Sequence, residues 1–288
     1  MEYVNDFKMY QVLDCGDFEK IEQFGNYILK RPDPQAIWHM KNKNKYTLNA
    51  IYHRSSKGGG EWEFIDLPNT WQISYDLDNN KKIVFNLKPF SFKHTGVFPE
   101  QAVNWKWMYN LIKNHNEMNI LNLFAYTGGA TIACALAGAN VTHVDASKGM
   151  VNWAKENALS SNVPNDKIRW IIDDCKKFVE KEIRREKKYQ GIILDPPSYG
   201  RGPNNEIWKI ENDIYDLIFL LSKLLDNNSL FLLLNSYTTG LQASVMEYML
   251  SDILCEKFGG TVYSTEIGLK VKDTDLILPE GATSRWKN

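Results

Sequence analysis

The chain has 288 residues, 43% of them hydrophobic and 12% aromatic, which suits one large or two smaller globular domains and excludes a disordered chain. Its 34 Lys and Arg nearly cancel 35 Asp and Glu, so no overall positive field attracts nucleic acid, and a polyanion must meet local basic runs such as Lys41-Lys43-Lys45, Lys81-Lys82 or Arg184-Arg185-Lys187-Lys188, which serve as well for solvated faces. The four scattered cysteines, Cys15, Cys134, Cys175 and Cys255, form no CxxC pair and point to neither a zinc site nor a disulfide framework. No apolar run reaches the ~18 residues of a membrane span and the amino terminus has no basic-then-apolar leader, so a cytoplasmic protein with no membrane partner is expected.

Up to about Phe92, short runs at residues 10–13, 27–29, 36–38, 48–52, 62–65, 71–75 and 83–87 alternate with Pro32, Pro34, Gly58, Pro68 and Asn79-Asn80. That spacing predicts antiparallel strands and a smaller β-rich domain over residues 1–95. A helix at 101–113 lies at the start of a second domain, 96–288, in which the rhythm changes. Strands at 120–124, 141–144, 168–172, 191–194 and 230–234 alternate with helices at 130–137, 150–159, 175–187 and 214–225. The alternation predicts an α/β fold with a Rossmann-like parallel sheet covered on both faces. A helix at 243–254 and strands at 261–267 and 276–278 complete the chain.

In such sheets ligands sit beyond the carboxyl ends of the strands. The fourth strand of the second domain ends in Asp195-Pro196-Pro197-Ser198-Tyr199. Paired prolines stiffen a turn, lack amide donors and keep their carbonyls as acceptors. Beside a carboxylate they suit a planar substrate bearing amino hydrogens, and Tyr199 offers a face on which a nucleobase would stack with about 1–3 kcal/mol. The plain alternative is an ordinary strand-to-loop turn.

The first strand of this domain runs into Phe124-Ala125-Tyr126-Thr127-Gly128-Gly129, a turn that lets a ligand approach the backbone. The second ends at Asp145, about 17 residues beyond the glycines, where an acid can accept both hydroxyl hydrogens of a ribose or cap a helix. The third ends at Asp173 and Asp174, either of which could accept from an adenine amino group, Asp174 being preferred because Asp173 can still belong to the strand. GxGxxG and GxxxxGK[ST] are both absent and the first turn has no Lys or Arg, so the pattern favours an adenosine ligand without a pyrophosphate, for which S-adenosylmethionine is the expected candidate.

On these motifs the chain resembles the class I S-adenosylmethionine-dependent methyltransferases related to the bacterial large-subunit ribosomal RNA cytosine methyltransferases, especially relatives lacking a leading RNA-binding module. The resemblance extends to Val144-Asp145-Ala146-Ser147, to His94-Thr95-Gly96-Val97-Phe98-Pro99-Glu100-Gln101, to Phe24-Gly25-Asn26-Tyr27 with Arg31-Pro32, and to Leu278-Pro279 with Arg285-Trp286. It implies that Phe124, Ala125, Tyr126, Thr127 and Gly128 hold the methionine part of the cofactor, Asp145, Ala146 and Ser147 the ribose side, and Asp174 with Cys175 the adenine. It also implies that Asp195, Pro196, Pro197 and Tyr199 form the catalytic turn, and that Phe98 and Gln101 belong to the methionine end, a core position and a helix start being their plain alternatives. RNA, ribosomal above all, is the implied partner, and a homodimer is expected because such enzymes often pair.

Methyl transfer from a sulfonium is an in-line displacement in which the protein aligns the reactants and excludes water, with no metal required. An exocyclic amine acceptor needs only acceptors for its hydrogens, whereas C5 of a pyrimidine normally needs a cysteine thiolate. The cytosine-modifying relatives carry that cysteine after the fifth strand, where this chain has Asn235-Ser236-Tyr237-Thr238-Thr239-Gly240. The loop Tyr199-Gly200-Arg201-Gly202-Pro203-Asn204-Asn205 has the composition of a lid, with Arg201 a candidate for phosphate contact or a solvated loop charge. A methyltransferase of a small molecule or protein, a dehydrogenase and a non-catalytic RNA-binding protein are the competing readings. The missing three-glycine fingerprint counts against the dehydrogenase.

Overall fold

The computed structural model describes every residue except 56, 57, 91, 116 and 202–206. The chain divides into two units, Met1–Val103 with Ile267–Glu280, and Asn104–Glu266 with Gly281–Asn288. Among the described residues no helix is long and apolar enough to cross a membrane.

The first unit begins with β1 (Glu2–Val4), β2 (Tyr10–Gly16), β3 (Glu19–Phe24), β4 (Tyr27–Pro32), β5 (Ala50–Arg54), β6 (Gly60–Phe64), β7 (Trp71–Asp76) and β8 (Lys82–Leu87). Strands β2 to β6 form one sheet in chain order, antiparallel except where β4 meets β5, and β7 with β8 makes a separate hairpin. β1 pairs in parallel with Ile267, Gly268 and Leu269, and Val12 bridges Val271, so the late segment is built into this unit by main-chain bonds. Several expectations change here. Strands β1 and β3 are additional, the β4–β5 pair is parallel where antiparallel strands are expected, and residues 36–38 form no strand, because the amide of Ala36 turns back to Asp33 and its carbonyl accepts from Phe18. With Pro32 and Pro34 so close, the segment lacks the donors that a ladder needs.

β3 is unusual in burying its charges. Glu22 is fully buried, where Arg31 donates to both its oxygens (Nε 2.7 Å, Nη2 2.8 Å) and the Tyr10 hydroxyl adds a third bond of 2.6 Å. Burial works against the Glu22 carboxylate, but Arg31 and Lys20 outweigh it and bring its pKa down to about 2. Lys20 meets Glu280 at 2.5 Å and Asp33 at 3.2 Å. Despite its burial, Glu280, Glu22 and Asp33 hold the Lys20 ammonium above the usual lysine range.

Helix α1 (Ala102–Ile112) leads on to β9 (Asn119–Leu123), α2 (Gly129–Leu136), β10 (Asn140–Asp145), α3 (Lys148–Ser160), β11 (Ile168–Ile172), α4 (Cys175–Arg184) and β12 (Gly191–Leu194). Then come β13 (Tyr199–Arg201), β14 (Ile207–Lys209), α5 (Ile210–Leu221), β15 (Phe231–Ser236), α6 (Ala243–Leu250), β16 (Thr261–Lys270) and β17 (Ile277–Lys287), the last two contributing to both units. In the second unit the sheet runs β16-β17-β15-β12-β9-β10-β11. The five strands from β15 to β11 are mutually parallel, and β17 lies antiparallel to β15. The expected α/β sheet with a β-rich region beside it in sequence is therefore borne out. β17 is much longer than the expected 276–278 because its polar Thr283, Ser284 and Arg285 are buried and extend the ladder along β15.

The central strands are apolar on both faces, as parallel strands covered by helices must be. Leu121, Leu123, Ile192, Leu194, Leu232 and Leu234 enter one core with Phe178 and Val179 of α4 and Leu217 and Leu221 of α5. Gly191 allows this packing, since a Cβ there would lie 2.4 Å from the Phe231 ring. The stems of the expected lid form an antiparallel ribbon, Tyr199 opposite Lys209, while 202–205 of that loop lie outside the described residues.

Candidate active site

Strand order reverses between β9 and β12, both of which start from the middle of the sheet, and such a switch point opens a crevice beyond the strand ends. Leu123 is paired on one side with Val144 and on the other with Leu194. Phe124, Asp145 and Asp195 therefore step off the sheet at one level, and Asp145 and Asp195, two strands apart, are separated sideways by about 10 Å.

The turn after β9 is tightly folded. Phe124 (φ 54°), Tyr126 (φ 49°) and Gly128 (φ 87°) all take left-handed backbone, which is expensive for the two aromatic residues. The Asp145 carboxylate offsets part of that strain by accepting from Tyr126 N (2.9 Å) and, through its other oxygen, from Ser147 N (2.8 Å). Burial lifts its pKa above the ordinary aspartate value, and these two amides work against the rise. A carboxylate has about four acceptor positions, so two remain for a ligand. Asn157 of α3 anchors the same turn by donating to the Thr127 carbonyl at 2.9 Å. Gly129 opens α2 because a Cβ there would come within 2.9 Å of the Trp105 ring. Ala146 and Ser147 are exposed, and Ser147 caps α3 by accepting from Met150 N at 3.4 Å.

At the next strand end the two acids divide their work. Asp173 takes Lys181 at 2.6 Å, whereas Asp174 caps α4 through one oxygen, accepting from Lys177 N at 2.9 Å, and leaves the other without a partner among the described residues. Cys175 is 3% exposed, and its sulfur accepts from Phe124 N at 3.3 Å, so it ties the first turn to α4. Burial pushes its thiol well above the usual range, as it does for Cys134, and lifts Cys15 to about 12. Cys255 is raised too, chiefly by burial. None of the four cysteines is set up as a thiolate nucleophile.

After β12, Pro196 is buried and Pro197 exposed, and the two carbonyls have different fates. Pro197 accepts from the Trp208 indole N–H at 2.7 Å, while the Pro196 carbonyl has no donor among the described residues. Trp208 also sets its ring 5.3 Å from that of Phe124. Ser198 shares a 2.6 Å bond with Thr238, and Tyr199 is half exposed on β13. The edge thus gathers Phe124 to Gly128, Asp145 to Ser147, Asp174 with Cys175, and Asp195 to Tyr199. Phe98 and Gln101 belong to the first unit, where Phe98 lies 5.3 Å from the His94 ring and its carbonyl accepts from Gln101 N in the turn that starts α1.

This donor set fits an adenosyl sulfonium. Asp145 and Asp174 present carboxylates with acceptor positions to spare at two strand ends, the first turn has no cation for a phosphate, and Lys181 is spent on Asp173. Residues 28–238 match the family model for S-adenosylmethionine-dependent methyltransferases. The chain belongs to that family. As a member it is an S-adenosylmethionine-dependent methyltransferase with that cofactor. A solved S-adenosylmethionine-dependent methyltransferase from Agrobacterium tumefaciens is 32% identical, with TM-score 0.92, covering 99% of this chain and 92% of that one. A putative methyltransferase solved with SAH, 18% identical with TM-score 0.72 over 98% of this chain and 76% of that one, shares the fold. Among curated proteins, the ribosomal RNA large subunit methyltransferase K/L of Shewanella frigidimarina is 32% identical over 60% of this chain and 23% of that one. The protein of the same name from Colwellia psychrerythraea is 26% identical over 74% and 32% respectively. The chain therefore spans about a quarter to a third of the length of these two relatives.

Proposed function

We propose that this methyltransferase acts on RNA, ribosomal RNA foremost, and that the acceptor atom is an exocyclic base amine. The observation that carries the reading is the turn after β12, where a carboxylate and an unused carbonyl stand together on a proline-stiffened backbone. Bound S-adenosylmethionine supplies an electrophilic methyl group on a positively charged sulfur. Phe124 to Gly128 wrap its methionine part, Asp145, Ala146 and Ser147 its ribose, and Asp174 and Cys175 its adenine, with Phe98 and Gln101 assigned to it by family resemblance alone. Asp195 and the Pro196 carbonyl accept the two amine hydrogens and turn the nitrogen lone pair toward the reacting carbon. Asp195 would then take the proton that the nitrogen sheds as the new N–C bond forms and the carbon–sulfur bond breaks, the sulfur leaving neutral with the electron pair. Pro197 supports the turn, and Tyr199 stacks on the base.

The missing thiolate supports an amine over a pyrimidine carbon. The names of the curated relatives support ribosomal RNA, whose modification places the enzyme in the cytoplasm, and a homodimer is the assembly that fits the habits of the family. The test supplies labelled methyl donor and purified enzyme to RNA, protein and metabolite fractions from cells lacking the gene. Label in RNA, lost with Asp195→Asn while S-adenosylmethionine still binds by calorimetry, is the expected result. Label confined to protein or metabolites would reject RNA as substrate.

A further inference from the structure

The first unit has a cleft that no step above uses. Two adjoining pockets, about 390 and 270 Å³, share Pro32, Pro34, Tyr52 and Arg54, and the smaller also meets Phe92 and Lys93. Aromatic rings line the neighbouring strand. Tyr52 meets Trp62 edge-on at 5.3 Å, and Trp62 lies nearly parallel to Phe64 (6.3 Å, 18°). Phe64 and Phe92 are 58% and 56% exposed, so large apolar faces point to water. The Trp62 indole N–H donates to the carbonyls of Phe90 (2.9 Å) and Phe92 (3.3 Å), which fixes the Phe92 segment against β6.

The charges of this region are unequal in their pairing. Asp17 is held by Lys43 at 2.7 Å, Glu19 by Lys30 at 3.1 Å, and Glu63 by a 2.7 Å bond to His53. Arg54 is exposed and has no partner among the described residues. The Lys93 ammonium bonds the Pro32 carbonyl at 3.0 Å, and among the described residues no carboxylate lies within ion-pair distance of it. Burial lowers the Lys93 pKa, and the nearby Lys20 and Arg31 lower it further against the opposing pull of Asp33 and Glu280. Burial also drives the His94 pKa down to about 4, with help from Arg31 and Lys93, which leaves that ring neutral.

Two cations with no ion pair among the described residues, beside exposed aromatic faces, are what a single nucleic-acid strand needs, since phosphates seek the charges and bases stack on the rings. A duplex hides its base faces, and an acidic peptide would make no use of the rings. We propose that this cleft binds a single-stranded segment of RNA, with a phosphate on Arg54 and Lys93 and unpaired bases against Trp62, Phe64 and Phe92. The proposal rests on the RNA reading of the active site and says which surface recognises the acceptor strand.

The test measures fluorescence anisotropy of a labelled twelve-nucleotide mixed-sequence RNA with the full chain, alongside calorimetry with S-adenosylmethionine and a methylation assay on ribosomal RNA. Arg54→Ala and the pair Phe64→Ser with Phe92→Ser alter exposed side chains, so folding and cofactor affinity should be unchanged. Each is expected to weaken RNA binding about tenfold, and Arg54→Ala to flatten the salt dependence by about 0.7 in log–log slope. If the unaltered protein binds and methylates RNA and the variants do so equally well, the acceptor docks elsewhere and only this proposal falls. Should the unaltered protein neither bind nor methylate RNA, the substrate reading fails first and takes the cleft with it. Displacement of RNA by polyglutamate at matched charge concentration would show that charge alone is recognised and would overturn the stacking assignment.

Discussion

His143 shows how much of the site is decided one layer below it. Asn122 donates to the Thr131 hydroxyl oxygen at 2.8 Å, which leaves the Thr131 proton for His143 Nδ1 at 2.9 Å, so the ring is assigned its proton on Nε2. That Nε2 is buried without a hydrogen-bond partner, in a ring that sits 3.8 Å from where a Gly128 Cβ would lie. Burial, with a lesser push from Lys155, drives the His143 pKa down to about 3. The native state therefore keeps His143 neutral where the unfolded chain, titrating near 6.5, takes up a proton. Its contribution is fully present above about pH 6.5 and is lost as pH falls toward 3, at roughly 1.4 kcal/mol per unit between those limits. Urea unfolding at pH 7 and pH 5 should show the unaltered protein losing about 2 kcal/mol more than His143→Gln. Equal losses would mean that the ring is not held neutral. The sequence gives little warning of this role, because a lone histidine in an apolar strand reads as ordinary core. Asp145, by contrast, stands out because it ends a strand at the right interval from a glycine turn.

At the scale of elements, the parallel strands were legible because burial on both faces leaves unbroken apolar runs, and β11 and β12 fall on the expected residues 168–172 and 191–194. β3 was not legible for the converse reason. Lys20 and Glu22 read as outward-facing charges, yet both point inward because Glu280, Asp33 and Arg31 neutralise them there, and those partners are scattered along the chain. The ribbon of β13 and β14 was hidden by its glycine-rich and proline-rich composition, and with it the role of Trp208. The indole N–H of Trp208 holds the Pro197 carbonyl, which would make it a positioning residue for the proposed catalytic turn. Trp208→Phe keeps an aromatic ring beside Phe124 and removes the N–H bond, worth about 1 kcal/mol or roughly fivefold in rate if felt at the transition state. Turnover should fall by about that factor while the dissociation constant for S-adenosylmethionine stays within about twofold, a split that separates positioning from general loosening. A parallel rise in that dissociation constant would assign Trp208 to the cofactor instead.

For the whole molecule, the first unit is discontinuous in sequence, and its stability depends on a segment that arrives more than 160 residues later. Ile267, Gly268 and Leu269 give β1 its partners, Val271 bridges Val12, and Glu280 takes the ammonium of Lys20. No local pattern within Ile267–Glu280 announces this attachment, since it is a matter of long-range pairing. Residues Met1–Val103 alone would leave Lys20 buried without Glu280, with only Asp33 and a Glu22 already engaged by Arg31 to balance it. Breaking a buried pair from one side typically costs about 3–5 kcal/mol, against a total stability of about 5–15 kcal/mol for a domain. The unpaired edge of β1 and the lost bridge add to that loss. The isolated piece should therefore show no cooperative thermal transition by circular dichroism, whereas the same piece joined through a glycine-serine linker to Ile267–Glu280 should regain one. Substituting Glu280→Gln in the joined form should lower its midpoint at pH 9, above the value of about 8 to which burial raises the Glu280 carboxyl, while leaving the transition cooperative, because the neutral amide still bonds Lys20 but no longer balances its charge. A cooperative transition from Met1–Val103 by itself would show instead that the late segment is fastened to a unit that already folds.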